Sequence, residues 1–286
     1  MMWDTERLSL MTFTMGFDIF AGRITVEDSL RVAKECSVPA VDVMNVSEKQ
    51  VGHYLRAMQS TGTEVYCYIA MIPFFRAESK VVCAIEKELR IARQLGAKLL
   101  MIVPGGAPEI KWARRRPREE VVSRIAWGYQ KAVELSKDTG IQVCFETTPH
   151  ESLHLSGSED CREILERVPD LGFVLDTANM LPHGDTTMDA YGLLKNRIVY
   201  VHLKDVCLIH KRTLNSTRER TADGRLMECT VWGQGEIPVR QLYETMLKDG
   251  YTGRFAIEYV SPRTKKRQMA DHVRQLKRYL SCESTT

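Results

Sequence analysis

Long apolar runs are missing from this sequence. No segment reaches the roughly 18 consecutive apolar residues that a bilayer-spanning helix requires, so no membrane partner is expected. The first stretch, "MMWDTERLSL", has no basic region leading into an apolar core and is not read as a secretory signal. An excess of one charge is missing too, since 40 Lys and Arg stand against 37 Asp and Glu, a formal net charge of +3. That near balance leaves no overall electrostatic footprint for nucleic acid. The one concentrated basic run, "KWARRRPREE", passes directly into Glu119 and Glu120. It reads as a solvated loop and helix start, with an anion or subunit contact as the alternative. Cysteine is not scarce, at eight residues, but C-x-x-C spacing is absent. Cys67, Cys144 and Cys207 lie within apolar runs, where cysteine behaves as a small hydrophobe. Reduced thiols are expected, which excludes a disulfide framework and a zinc finger. No G-x-G-x-x-G follows the first strand and no Walker motif occurs, which weakens dinucleotide and nucleoside-triphosphate chemistry. No low-complexity linker or composition break divides the chain. One domain, residues 1–286, is expected, in a soluble cytoplasmic protein.

What is present is a rhythm. Eight short apolar runs recur: "LSLMTFTM", "AVDVMNV", "EVYCYIAMI", "AKLLMIVP", "QVCFETT", "GFVLDTA", "IVYVHLK" and "FAIEYV". Helical periodicity fills the gaps. Thr25 with Asp28 and Ser47 with Gln50 resemble capping boxes, and Gly62, Gly96, Gly140 and Gly250 each follow a helical stretch as stop signals. Strands apolar on both faces that alternate with helices imply a covered parallel sheet. Eight such units predict an α/β fold, a single (β/α)8 TIM barrel, with an open doubly wound sheet as the alternative. The longest irregular piece, "CLIHKRTLNSTRERTADGRLMECTVWGQG", separates the seventh and eighth strands, and a segment of that length is more often functional than decorative.

Four runs end in a polar residue: Glu146 in the fifth, Asp176 in the sixth, His202 in the seventh and Glu258 in the eighth. The C-terminal strand ends of a barrel converge on its active face. If these side chains point toward the barrel axis, three carboxylates and an imidazole meet at one place. Carboxylates crowded together repel, and a divalent cation relieves that repulsion. Oxygen ligands with one imidazole suit Mn²⁺ first, then Mg²⁺ or Co²⁺, with Zn²⁺ less favoured. Lys204, two residues beyond His202, points to the same side and either holds a substrate oxyanion or reaches out to solvent. Asp205 points the other way and is expected to anchor the following loop. Asn179 either hydrogen-bonds a substrate hydroxyl or caps its turn. His150 and His154 follow the fifth strand near the mouth, and Trp232 with "GQGE" shapes the rim.

The second half of the chain resembles the xylose isomerase-like barrels, also called sugar phosphate isomerases/epimerases. The resemblance rests on "VCFETT", "FVLDTAN", "VYVHLKD" and "WGQGEIPVRQLYETMLKDGYTGRFAIEY"; the first half shares only the strand–helix rhythm. It implies that Glu146, Asp176, His202 and Glu258 are metal ligands and that the two glutamates also form the proton-transferring pair. Asn179 three residues after Asp176, together with "VHLKD", is similar to the pentulose 5-phosphate 3-epimerase branch. The apurinic endonuclease branch carries additional histidines at the third, fourth and sixth strands. This chain has "MIPFF", "VPGGAP" and Asn179 there, so DNA repair is not expected.

The chemistry implied is proton abstraction beside a carbonyl through a metal-stabilised enediolate. Epimerisation, aldose–ketose isomerisation and loss of a β-hydroxyl all use the same ligands. A sugar or sugar-phosphate isomerase or epimerase with a small carbohydrate substrate is the leading expectation, and a dehydratase or other lyase acting on a keto-polyol is the alternative. A third class is a non-catalytic binding barrel that retains its ligands. Dimers and tetramers are common in the resembling family, which admits a homo-oligomer here, though no residue establishes one.

Overall fold

The structure, a computed structural model, describes residues 5–15, 19, 22–148, 151–213, 216–221, 223–259 and 266–281. Eight parallel strands close into a barrel in the order β1-β11-β7-β6-β5-β4-β3-β2. They are β1 (Leu8–Met11), β2 (Ala40–Met44), β3 (Glu64–Met71), β4 (Leu99–Val103), β5 (Gln142–Glu146), β6 (Gly172–Asp176), β7 (Ile198–Leu203) and β11 (Arg254–Ile257). Each falls within one of the eight apolar runs or overlaps it, and the barrel is the expected (β/α)8 form. The open-sheet alternative is excluded because β1 pairs with both β2 and β11.

Helices cover the outside. In the first half these are α1 (Val26–Glu35), α2 (Glu48–Thr61), α3 (Glu78–Leu95), α4 (Ala107–Ala113) and α5 (Arg118–Ser136). Then follow α6 (Ser158–Arg167), α7 (Thr187–Leu194), α8 (Val239–Lys248) and α9 (Lys266–Ser281). On α3 the buried residues Val81, Ile85, Leu89 and Ala92 recur at the spacing of one helical face, which is why it lies flat on the sheet. Thr25 and Asp28 form the anticipated capping box of α1. Gln50 Oε1 accepts from both the N–H and the hydroxyl of Ser47 at the start of α2. Gly62 and Gly96 stop their helices with φ of 72° and 70°, a left-handed conformation open to glycine at no steric cost. The basic run sits at the α4–α5 junction. Arg118 pairs with Asp160 at 2.8 Å and Glu163 at 2.6 Å, and the exposed Arg116 with Glu120 at 3.4 Å.

The segment between β7 and β11 is less irregular than its composition suggests. It contains β8 (Val206–Ile209), β9 (Ser216–Arg220) and β10 (Leu226–Cys229), an antiparallel sheet in the order β8-β10-β9. Cys67 and Cys144 are buried free thiols inside the barrel, and Cys207 is half-buried and also free. No described helix is long and apolar enough to cross a membrane.

Candidate metal centre

Period-2 alternation decides which side chains enter the barrel. Met11, Cys67, Ile69, Leu99, Met101, Cys144, Val174, Tyr200 and Ala256 form one packed interior cluster. Two residues further along their strands, Cys144 leads to Glu146, Val174 to Asp176, Tyr200 to His202 and Ala256 to Glu258. These four residues therefore point inward at the C-terminal end. The register pairs Asp176 with His202, and His202 with Ala256, one position pair below Glu258.

The four side chains meet. One ligand atom from each of Glu146, Asp176, His202 and Glu258 can be chosen so that all lie within 4.8 Å of one another. His202 Nδ1 is 3.1 Å from Glu146 Oε2 and 3.2 Å from Glu258 Oε2. Asp176 Oδ1 accepts the backbone N–H groups of Ala178 at 2.8 Å and Asn179 at 2.9 Å, which aims Oδ2 at the centre. Asp176, His202 and Glu258 are buried, and Glu146 is the most open of the four, with 18% of its side chain exposed.

Lys204 also lies in this cage and does not reach out to solvent. Its Nζ is 2.7 Å from Asp176 Oδ2, 2.8 Å from Glu258 Oε1 and 3.1 Å from Asn179 Oδ1. Thr177 pins its backbone: the Thr177 hydroxyl accepts from the Lys204 N–H at 2.8 Å and donates to the Lys204 carbonyl at 2.6 Å. Burial works against the Lys204 ammonium, yet Asp176 and Glu258 outweigh it and hold its pKa well above the ordinary lysine value. Burial likewise opposes charge on Glu258, but Lys204 and then His202 hold its carboxyl well below the usual range. Burial pushes Asp176 up to about 6, against the pull of Lys204. In His202 burial opposes the proton, but the adjacent Glu146 and Glu258 raise the pKa well above the usual value.

These atoms fit a cation. Beyond the ion pairs just described, Glu146 Oε2, Asp176 Oδ2 and His202 Nδ1 are buried without a well-directed hydrogen bond, and so is His202 Nε2. Buried polar atoms are rarely left in that state unless something else satisfies them. Three carboxylates and an imidazole are hard and borderline donors suited to a divalent ion.

Asp205 turns away from the cage and holds the rim. Its carboxylate accepts four backbone N–H groups: Val206 at 2.9 Å, Gly233 at 2.8 Å, Gly235 at 3.1 Å and Ile237 at 3.1 Å. A β-carbon at Gly235 would overlap Asp205 Oδ1 and lie 2.5 Å from the Val206 carbonyl oxygen. Trp232 is buried, and its indole N–H donates to the Leu203 carbonyl at 3.1 Å. His154 has Asp160, Arg118 and Glu163 as its charged neighbours and so belongs to the helix side; His150 lies outside the described residues.

Sequence reasoning passed over one buried carboxylate. Asp42, in the middle of β2, is fully buried and accepts from Ser9 Oγ at 2.8 Å, Tyr200 Oη at 2.7 Å and the Cys67 N–H at 3.2 Å. Burial raises its pKa, opposed by His202 and these donors. The signal was the lone aspartate in "AVDVM" at an inward position, though its three partners come from other strands. Tyr200 then meets the His202 ring edge-on at 5.4 Å, so this network forms the floor beneath the cage.

A family model described as xylose isomerase-like TIM barrel matches residues 16–279. No curated protein matches the chain at a significant level. Among solved structures, the IolI protein with a bound zinc atom is similar at a TM-score of 0.73 and 14% identity, covering 95% of each chain. A xylose isomerase domain-containing protein from Salmonella typhimurium LT2 reaches 0.71 at 17% identity, over 98% of this chain and 99% of that one. The probable 3-DHS dehydratase AsbF, involved in petrobactin synthesis in Bacillus anthracis, reaches 0.69 at 14% identity, over 95% of this chain and 98% of that one. At such identities the likeness is one of fold.

Proposed function

The chain belongs to the xylose isomerase-like TIM barrel family, and from that premise we propose that it is a divalent-metal-dependent isomerase or epimerase acting on a sugar or sugar phosphate. The observation that carries the proposal is the convergence of Glu146, Asp176, His202 and Glu258 from four adjacent barrel strands, with ligand atoms mutually within 4.8 Å. A divalent cation held by these four residues would supply Lewis acidity at a substrate carbonyl and its neighbouring hydroxyl.

The protein's own groups handle the proton. Glu258, at the tip of β11 and in contact with His202 and Lys204, removes the proton next to the carbonyl as a carboxylate and leaves an enediolate. Glu146, the more open of the two, takes a proton from solvent and delivers it to the opposite face, while the proton gained by Glu258 is released to solvent in the next turnover. Return to the same carbon inverts it, and return to the neighbouring carbon exchanges aldose for ketose. Lys204 and Asn179, already in contact through Nζ and Oδ1, hold the substrate's oxygens so that the labile C–H faces its base.

Solvent-deuterium wash-in tests this proposal. With Mn²⁺ supplied, a reactive ketose should gain deuterium on the carbon beside its carbonyl. Absence of incorporation across a broad ketose panel overturns the proton-transfer assignment. Growth of an enone absorbance would show loss of a β-hydroxyl and reassign the site to a dehydratase.

A further inference from the structure

The ring of inward residues at the barrel mouth is polar on one side only. The same alternation that brings Glu146, Asp176, His202 and Glu258 inward from β5, β6, β7 and β11 acts on the other four strands. There it delivers Met44 at the end of β2, Met71 at the end of β3 and Val103 at the end of β4, and the single helical turn Thr12–Met15 after β1 adds Phe13. Phe13, Met44 and Val103 are partly buried and pack on the interior cluster from above. Met71 is 44% exposed, one of the few large apolar side chains so open among the described residues. Phe13 and Met44 also line a lateral cavity of about 290 Å³, shared with Thr12, Asn45, Gln50 and Tyr54. The polar groups of that cavity are partly committed: the Thr12 hydroxyl donates to the Asp42 carbonyl, Asn45 Oδ1 accepts the Met71 N–H, and Gln50 Oε1 caps α2. Among the described residues no lysine or arginine lines it.

We infer that the substrate is amphipathic, with its carbonyl and neighbouring hydroxyl at the carboxylate side and an uncharged, carbon-rich end, such as a methyl, methylene or ring, against Phe13, Met44, Met71 and Val103. This narrows the proposed function, on which it rests, away from sugar phosphates. A phosphate lodged on Phe13, Met44, Met71 and Val103 would lose its hydration with no cationic partner among these four, whereas a methyl group loses nothing there. The ammonium of Lys204 does not answer for it, since it lies beside Asp176 and Glu258 on the other side of the mouth, where the carbonyl and hydroxyl are bound. The arc offers surface and also room: a thioether side chain adapts to irregular apolar shapes, and two of the four residues are methionines.

Calorimetric binding to the Mn²⁺-loaded full chain tests the inference, using a 6-deoxyketohexose, the parent ketohexose and its 6-phosphate. A methyl in an apolar pocket is worth about tenfold or more in discrimination. The 6-deoxy sugar should therefore bind at least about tenfold more tightly than the phosphate ester, with the parent sugar between them. Phe13→Ser and Met44→Ser should each erode that ratio, while leaving Mn²⁺ affinity unchanged as a control for folding. Equal binding, tighter binding of the phosphate, or no detectable binding of the 6-deoxy sugar overturns the inference. Because the readout is binding, tight uptake of the 6-deoxy sugar without deuterium exchange would refute the proton-transfer proposal and leave the amphipathic site standing.

Discussion

Replacing Asp205 by alanine removes the acceptor for four backbone N–H groups at once, in a side chain that is 1% exposed. A buried donor left without its partner costs about 1–3 kcal/mol. Four such losses at the lower end come to about 4 kcal/mol. Recovery of the desolvation of the carboxylate and entry of water offset part of this, so a net loss of about 3–4 kcal/mol is expected. For a chain of this length each kcal/mol corresponds to about 2–3 °C, which places the fall in Tm at about 6–12 °C. Differential scanning calorimetry of the metal-free protein measures it directly. Asp205→Asn should lie between the wild type and the alanine variant, because its carbonyl oxygen still accepts while its amide NH₂ faces donors. Gly235→Ala should mimic the loss, since its β-carbon would overlap the same carboxylate oxygen. A fall of less than about 2 °C in Asp205→Ala would refute the reasoning, because the rim would then be held by something other than this carboxylate.

Three further outcomes follow from the cage. Glu146→Gln and Glu258→Gln should each lower deuterium exchange by about 10²–10⁴-fold, the usual contribution of a positioned acid or base, with Mn²⁺ affinity weakened less than by His202→Ala; full exchange in either variant removes it from the proton-transfer pair. His202 has a raised pKa in the metal-free protein, so its proton must leave before the ring can act as a ligand, and Mn²⁺ should bind more tightly as pH rises, by up to about tenfold per unit below that pKa; an affinity independent of pH between 6 and 8 contradicts this. Lys204→Met should destabilise the metal-free protein by about 3–5 kcal/mol at neutral pH, the cost of stripping one partner from a buried pair. The folded pKa of Glu258 is depressed, so its share of that stability is present above the unfolded value and lost as pH falls through the folded one. The gap between Lys204→Met and wild type in urea unfolding should accordingly narrow in acid.

The barrel was legible because its strands are apolar on both faces, and runs such as "AKLLMIVP" and "QVCFETT" leave little doubt about β4 and β5. The cage residues were legible for the opposite reason: each is a polar residue where an apolar strand ends. The sheet β8-β10-β9 was not, since "STRER" in β9 has no alternation to betray a strand. The place of Lys204 could not be read either. Parity put it on the correct side, but only the closeness of Asp176 and Glu258 determines that its ammonium folds inward. Asp42 stayed hidden because its burial depends on donors from β1, β3 and β7, which no local pattern records.

The inward turn of Lys204 bears on how the molecule comes into being. Two of the three acids gathered at the mouth are already answered by a positive charge that the chain carries itself. A nascent polypeptide can therefore shut its cylinder without first capturing an ion from its surroundings. On the proposed function, a dication would come to a cage that is already closed and would take over the neutralising part that this ammonium plays.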